Sequence, residues 1–150
     1  MIEVRRTLDV GICLDILTNK DIFDSISEDD ATIEHLKVDV IKDYWLSITD
    51  GDLEIGVVQF KQMFNKCFDA HIHILPKYRK DYSIAAGHKI WDWVQEYLSG
   101  CLLYTNVPVF CPNVKEWLMH FKFKETGYLE KAWLKDGKQN DMWIMTRSVN

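Results

Sequence analysis

Apolar residues along this 150-residue chain recur with two periods, and the period changes at turn residues. IEVRR (residues 2–6) has the short alternation of a strand. LDVGICLDIL then places Leu8, Ile12, Ile16 and Leu17 at helical spacing. KDIFDSIS predicts a second short helix, whereas residues 28–43 follow neither period. YWLSITDGDLEIGVVQFKQMF predicts paired strands joined at Asp50-Gly51-Asp52, because Asp-Gly is a strong hairpin signal. After a turn at Asn65-Lys66, CFDAHIHIL predicts a further strand. It carries Phe68, Ala70, Ile72 and Ile74 on one face and Asp69, His71, His73 and Leu75 on the other. Pro76 cannot donate a ladder hydrogen bond and ends that strand.

A basic turn, KYRK, separates this strand from a helix predicted from about Ser83 to Leu98, with Asp81 or Ser83 as its cap. Ile84, Trp91, Val94 and Leu98 form its apolar stripe. CLLYTNVPVF reads as a strand interrupted by Pro108. The capping-box spacing of Asn113 and Glu116 then predicts a short helix over VKEWLMHF. FKETGYLEKAWL and DMWIMTRS form a closing hairpin around Lys135-Asp136-Gly137-Lys138. The order is strand, helix pair, antiparallel strand triplet, helix, strand, helix, strand pair. It predicts one three-layer α/β (α+β) domain over residues 1–150, with a mixed, mostly antiparallel sheet and helices on both faces.

Composition narrows the function classes. Hydrophobic residues make up 47% of the chain, which supplies a sizeable core and excludes a disordered segment. The 18 Lys and Arg against 23 Asp and Glu argue against a nucleic-acid binder, which shows a basic face. No apolar run approaches the roughly 20 residues of a membrane span. MIEVRRTLDV lacks the apolar stretch of a signal peptide, so a cytoplasmic location is expected. The 4 cysteines show no metal-finger spacing and read as reduced thiols. The acidic cluster in DIFDSISEDDATIEHLKVD reads as a solvated face.

Two stretches carry chemistry. The first is HILPKYRKDYSIAAGHKIW, a strand, basic turn and helix of the kind that holds a phosphate on amides at a helix start. Its turn has no glycine, so a plain connection is the competing reading. The second is the face bearing Asp69, His71 and His73. An imidazole there takes a proton from an ammonium near neutral pH. Equally, both histidines can sit hydrogen-bonded under covering helices. His-x-His resembles a metal pair, but no third ligand has suitable spacing, and no metal site is assigned.

The element order, with Ile74-Leu75-Pro76-Lys77-Tyr78-Arg79 closing the fourth strand, resembles the GNAT superfamily of acyl-CoA-dependent N-acetyltransferases. The overlay covers nearly the whole chain, with specific matches in residues 70–123. In the family this pattern leads into Arg-x-x-Gly-x-Gly/Ala; here Tyr82 and Ile84 fall on the small positions. Asn113 is the counterpart of a family Asn after the fifth strand, and Lys122-Phe123 takes the place of a Gly-Phe pair. The family's helix tyrosine, a general acid, corresponds to Leu118. The TNVP…N…W…F rhythm also resembles small GNAT-like proteins of tailed bacteriophages.

The resemblance implies a GNAT-like fold of about seven strands and acetyl-CoA as cosubstrate. The acceptor would be an amine on a small molecule or protein, and the expected partners include no nucleic acid and no membrane. It places the coenzyme along Ile74 and Leu75, the amides of Lys80, Asp81, Tyr82, Ser83 and Ile84, the Arg79 side chain, and Asn113. His73, His71 and Asp69 become the catalytic residues, with a backbone N–H near His73 to Leu75 polarising the thioester carbonyl. Tyr104 or His120 would stand in for the missing acid. A thiolate with pKa of about 8.5 also leaves without one. The alternative is a catalytically degenerate phage protein of the virion, structural or assembly in role; an exposed sheet edge would support a homodimer in either case.

Overall fold

The computed structural model describes all 150 residues. It shows a seven-stranded sheet of strands β1 (Ile2–Arg6), β2 (Tyr44–Asp50), β3 (Leu53–Phe64), β4 (Cys67–Ile74), β5 (Leu102–Pro108), β6 (Lys124–Lys135) and β7 (Lys138–Ser148). The spatial order is β1-β2-β3-β4-β5-β7-β6, and every pairing is antiparallel except β4 with β5. Helices α1 (Val10–Leu17) and α2 (Lys20–Ile26) cover one face, and α3 (Pro76–Tyr97) and α4 (Pro112–His120) the other. The expected three-layer α/β architecture is present.

Strand alternation produces the two cores. Leu46, Val58, Phe60, Phe68 and Ala70 pack under α3 and α4, against Ile90, Val94, Leu118 and Phe121. Trp45 and Val57 point the other way and pack against Ile16, Leu17 and Ile22 of the first helices. Close approach of α4 to α3 depends on Gly87, because a Cβ there would overlap the Phe121 ring. Gly51 (φ 60°) makes the β2–β3 turn, and Asp136 and Gly137, both at positive φ, make the β6–β7 turn.

Several local expectations are corrected. Leu8 precedes α1 and is exposed; Asp9 caps the helix by accepting the Ile12 N–H at 3.2 Å. The third helix starts at Pro76, seven residues before Ser83, because proline's fixed φ suits the first helical position. Asp81 and Ser83 therefore lie inside it and cap nothing. Its buried stripe runs through Ala86, Gly87, Ile90, Trp93 and Val94, while Ile84 is exposed. Asn113 forms no capping box: α4 begins at Pro112 after Cys111, with no side-chain cap.

The β6–β7 hairpin is tied to α2 and to the segment after it. Asp29 accepts the Asp136 and Gly137 N–H groups at 2.7 and 2.8 Å, and Lys135 Nζ donates to the Asp24 carbonyl at 2.6 Å. Those two amide bonds hold the Asp29 carboxyl below its ordinary range.

Candidate active site

β4 and β5 pair only from Cys67–Leu102 to Asp69–Tyr104. Beyond that rung β4 stays with β3 as far as Ile74, while β5 stays with β7. The sheet therefore splits, with α3 leaving the end of one branch and α4 following the other. The Leu75 N–H donates to the Ile55 carbonyl at 3.0 Å, which fixes the phase of the β3–β4 ladder. Antiparallel ladders alternate, so His71 and His73 bond to β3 while the amides of Ile72 and Ile74 turn towards the split. The amides of Ile72 and Ile74 are thus the β4 amides that face the split, while the Leu75 amide is engaged.

Arg79 reaches back from the first turns of α3, and its Nε donates to the Ile74 carbonyl at 2.9 Å. That contact puts a guanidinium at the mouth of the split, close enough to influence both His73 and Cys111. The phosphate-gripping amides are corrected by the early helix start. Lys80, Asp81, Tyr82, Ser83 and Ile84 lie within α3, where each amide donates to the carbonyl four residues back. Pro76 has no N–H, and the Tyr78 N–H bonds to the Leu75 carbonyl at 2.9 Å. A diphosphate here would meet the side chains of Lys77, Arg79 and Lys80 and the N-terminal end of the helix dipole. Tyr82 leans away from the split, its hydroxyl donating to Asp50 Oδ2 at 3.0 Å. Asn113 sits in the first turn of α4 and is exposed.

Asp69, His71 and His73 share the face opposite α3, as the alternation requires. His71 Nε2 lies 2.9 Å from Asp69 Oδ2, and the His71 side chain is 39% exposed against 14% for Asp69. His73 is half-buried and closely surrounded by protein. Desolvation, reinforced by His71 and Arg79, pushes its imidazolium down to about 3. The two imidazole planes are nearly parallel, with centroids 6.3 Å apart. The sequence reading missed Gln59, which stands opposite His71 on β3 and donates to the buried Asp43 at 2.9 Å. The alternation of β3 put Gln59 on this face and was the available signal. Asp43, Gln59, His71 and Asp69 thus form a polar row reaching the split.

Leu118, at the place of the family's tyrosine, is buried in the core. His120 is exposed and packs edge-on against His88 and Phe121, outside the split. Tyr104 lies on the last β4–β5 rung, on the histidine face; burial and the nearby Asp69 raise its phenol, which keeps it a proton donor. On the other face α4 closes over α3. The Trp117 indole donates to the Ser83 carbonyl at 3.3 Å, and Arg147 donates to the Phe121 carbonyl while covering the Trp91 ring. A cavity of about 250 Å³ opens on the α1–α2 side, between Phe23, Ile26, Leu36 and Trp133.

No family model matches the sequence, and neither does any curated protein. Solved structures do match. Spermidine N-acetyltransferase from Vibrio cholerae, in complex with CoA and spermine, aligns over 97% of this chain and 94% of that one, at 17% identity and a TM-score of 0.79. The protein smu.2055 from Streptococcus mutans UA159 aligns over 99% of both chains at 13% identity and a TM-score of 0.75. Mutant forms of the Vibrio cholerae spermidine/spermine N-acetyltransferase SpeG align over 71% of this chain and 64% of that one, at 19% identity and a TM-score of 0.63. The split sheet, the element order and these likenesses together give the chain the fold of the GNAT superfamily.

Proposed function

We propose that this chain is an N-acetyltransferase that carries an acetyl group from acetyl-CoA to a small-molecule amine. The observation that carries the reading is the split at the Asp69–Tyr104 rung, with unpaired amides on one branch and the His71–Asp69 pair beside it. The residues fit the thioester end of the cosubstrate: the Ile72 and Ile74 amides can hold its carbonyl oxygen and stabilise the developing oxyanion. The solved neighbour that binds CoA has this fold and supports the choice of cosubstrate. That neighbour also holds spermine, which supports a small-molecule amine as the acceptor.

His71 takes the proton of the attacking ammonium, directly or through water, and Asp69 stabilises the imidazolium that forms. The neutral amine adds to the carbonyl carbon, and the adduct's extra N–H proton passes to solvent. The C–S bond then breaks as the carbonyl re-forms, and the departing thiolate is protonated by solvent or by Tyr104, which regains a proton from solvent. His73 stays neutral and lines the site. Arg79, Lys77 and Lys80 attract the diphosphate electrostatically, in place of an amide loop.

A second reading is favoured by the Trp117–Ser83 closure and by buried Leu118: a GNAT-fold protein without turnover, such as a phage structural or virion-assembly component. Thiol release from acetyl-CoA, measured against a panel of primary amines, separates the two. Amine-dependent release above the hydrolysis background supports the enzyme. Its absence across polyamine, alkyl and aryl amines leaves the non-catalytic protein.

A further inference from the structure

The first turns of α3 carry the cations that attract the diphosphate, yet this helix start has no fastening of its own. Leu75 at the N-cap makes no side-chain bond, the first turn holds no acidic residue, and Lys77, Arg79 and Lys80 lie at the positive end of the helix dipole. The ties are tertiary. Arg79 Nε donates to the Ile74 carbonyl at 2.9 Å, and Tyr82 donates its hydroxyl to Asp50 Oδ2 at 3.0 Å. Asp50 ends β2, and its other oxygen meets the Met1 ammonium at 2.5 Å. The ammonium and the Tyr82 hydroxyl hold the Asp50 carboxyl below its ordinary range, so it is an anion near neutrality. The same bond raises the Tyr82 phenol, which stays a donor. So held, the Tyr82 ring lies edge-on to Tyr78, with centroids 5.8 Å apart.

We infer that Asp50 is a positioning residue for coenzyme binding: it holds the Tyr82 ring out of the space that the diphosphate enters. The inference rests on the acetyl-CoA reading and adds a side chain outside the split. Helical side chains lean towards the N-terminus, so each covers the turn before its own Cα. Arg79 and Tyr82 are three residues apart and are neighbours on the helix surface. Released from Asp50, the Tyr82 ring has that preceding turn to cover, and the turn presents the Arg79 guanidinium at the mouth of the split. A ring there keeps the diphosphate oxygens off the cation. Asp50 draws the ring the other way, because β2 lies beyond β3 from β4, on the side away from β5. A small residue at position 82 would need no such catch.

The test is calorimetric titration of CoA into wild type and a set of variants. Tyr82→Phe and Asp50→Ala are each expected to bind CoA about threefold to tenfold more weakly, the range of one lost hydrogen bond. Asp50→Asn, whose amide oxygen still accepts the hydroxyl, is expected within about twofold of wild type. Charge alone predicts the opposite for Asp50→Ala, since removing an anion from the neighbourhood strengthens the binding of another. In the double variant Asp50→Ala/Tyr82→Ala no ring is left to intrude, and affinity is expected to return to within about twofold of wild type. An Asp50→Ala protein that binds CoA as tightly as wild type, or more tightly, overturns the inference. So does a double variant that binds no better than Asp50→Ala, because the tie would then be structural only. Where wild type binds CoA, either result leaves the acyltransferase reading standing; where it does not, that reading fails and the catch fails with it.

Discussion

Replacing His71 with alanine is expected to lower kcat by about a hundred- to ten-thousandfold, with little change in KM for acetyl-CoA. His71, and not His73, is the base because the environments of the two imidazoles differ. His71 is 39% exposed and its Nε2 lies 2.9 Å from Asp69 Oδ2, so the ring is reachable and has a carboxylate beside it. His73 lies deeper, with the Arg79 guanidinium nearby, and its imidazolium is disfavoured down to about pH 3. A base that weak cannot deprotonate an ammonium near neutrality. Asp69→Asn should reproduce much of the His71 loss, since the amide still orients the ring but no longer balances its charge. Steady-state kinetics at pH 7 check both. An intact kcat in His71→Ala would move the proton transfer elsewhere.

The desolvation of His73 also makes folding stability depend on pH. Its folded pKa of about 3 lies below the ordinary 6.5, so between these values the unfolded chain binds a proton that the folded chain does not. Stability is therefore complete above about pH 6.5 and falls as pH drops towards 3. The loss at the acid end is on the order of a few kcal/mol, enough to matter against a typical domain stability of about 5–15 kcal/mol. Urea unfolding of wild type and His73→Gln from pH 4 to 8 checks the sign. The wild-type curve should rise with pH, and the variant should be flatter by the histidine contribution. Parallel curves would show that His73 is accessible to protons in the folded state.

The alternation of CFDAHIHIL assigned both faces of β4 correctly, because a strand of period two leaves no freedom once one face is apolar. The closing hairpin and the Asp50-Gly51-Asp52 turn were equally legible, since their positive-φ positions need particular residues. The start of α3 was not. Pro76 signals both the end of a strand and the first turn of a helix, and only the absence of a linking loop decides between them. That one ambiguity misplaced the amides of Lys80 to Ile84. The polar row through Gln59 and Asp43 and the Trp117–Ser83 contact join residues far apart in sequence, which no local pattern encodes. The direction of Tyr82 was also open until Asp50 appeared as its partner.

The account stands most directly on whether the split in the sheet receives coenzyme A. Calorimetric titration of CoA into the wild-type protein and into Arg79→Glu measures this without requiring turnover. Saturable heat in the wild type is predicted, with affinity at least about tenfold weaker in the variant, because the guanidinium at the mouth of the split is replaced by a like charge to the diphosphate. Absence of saturable heat in the wild type would contradict the account and leave a GNAT fold serving another purpose.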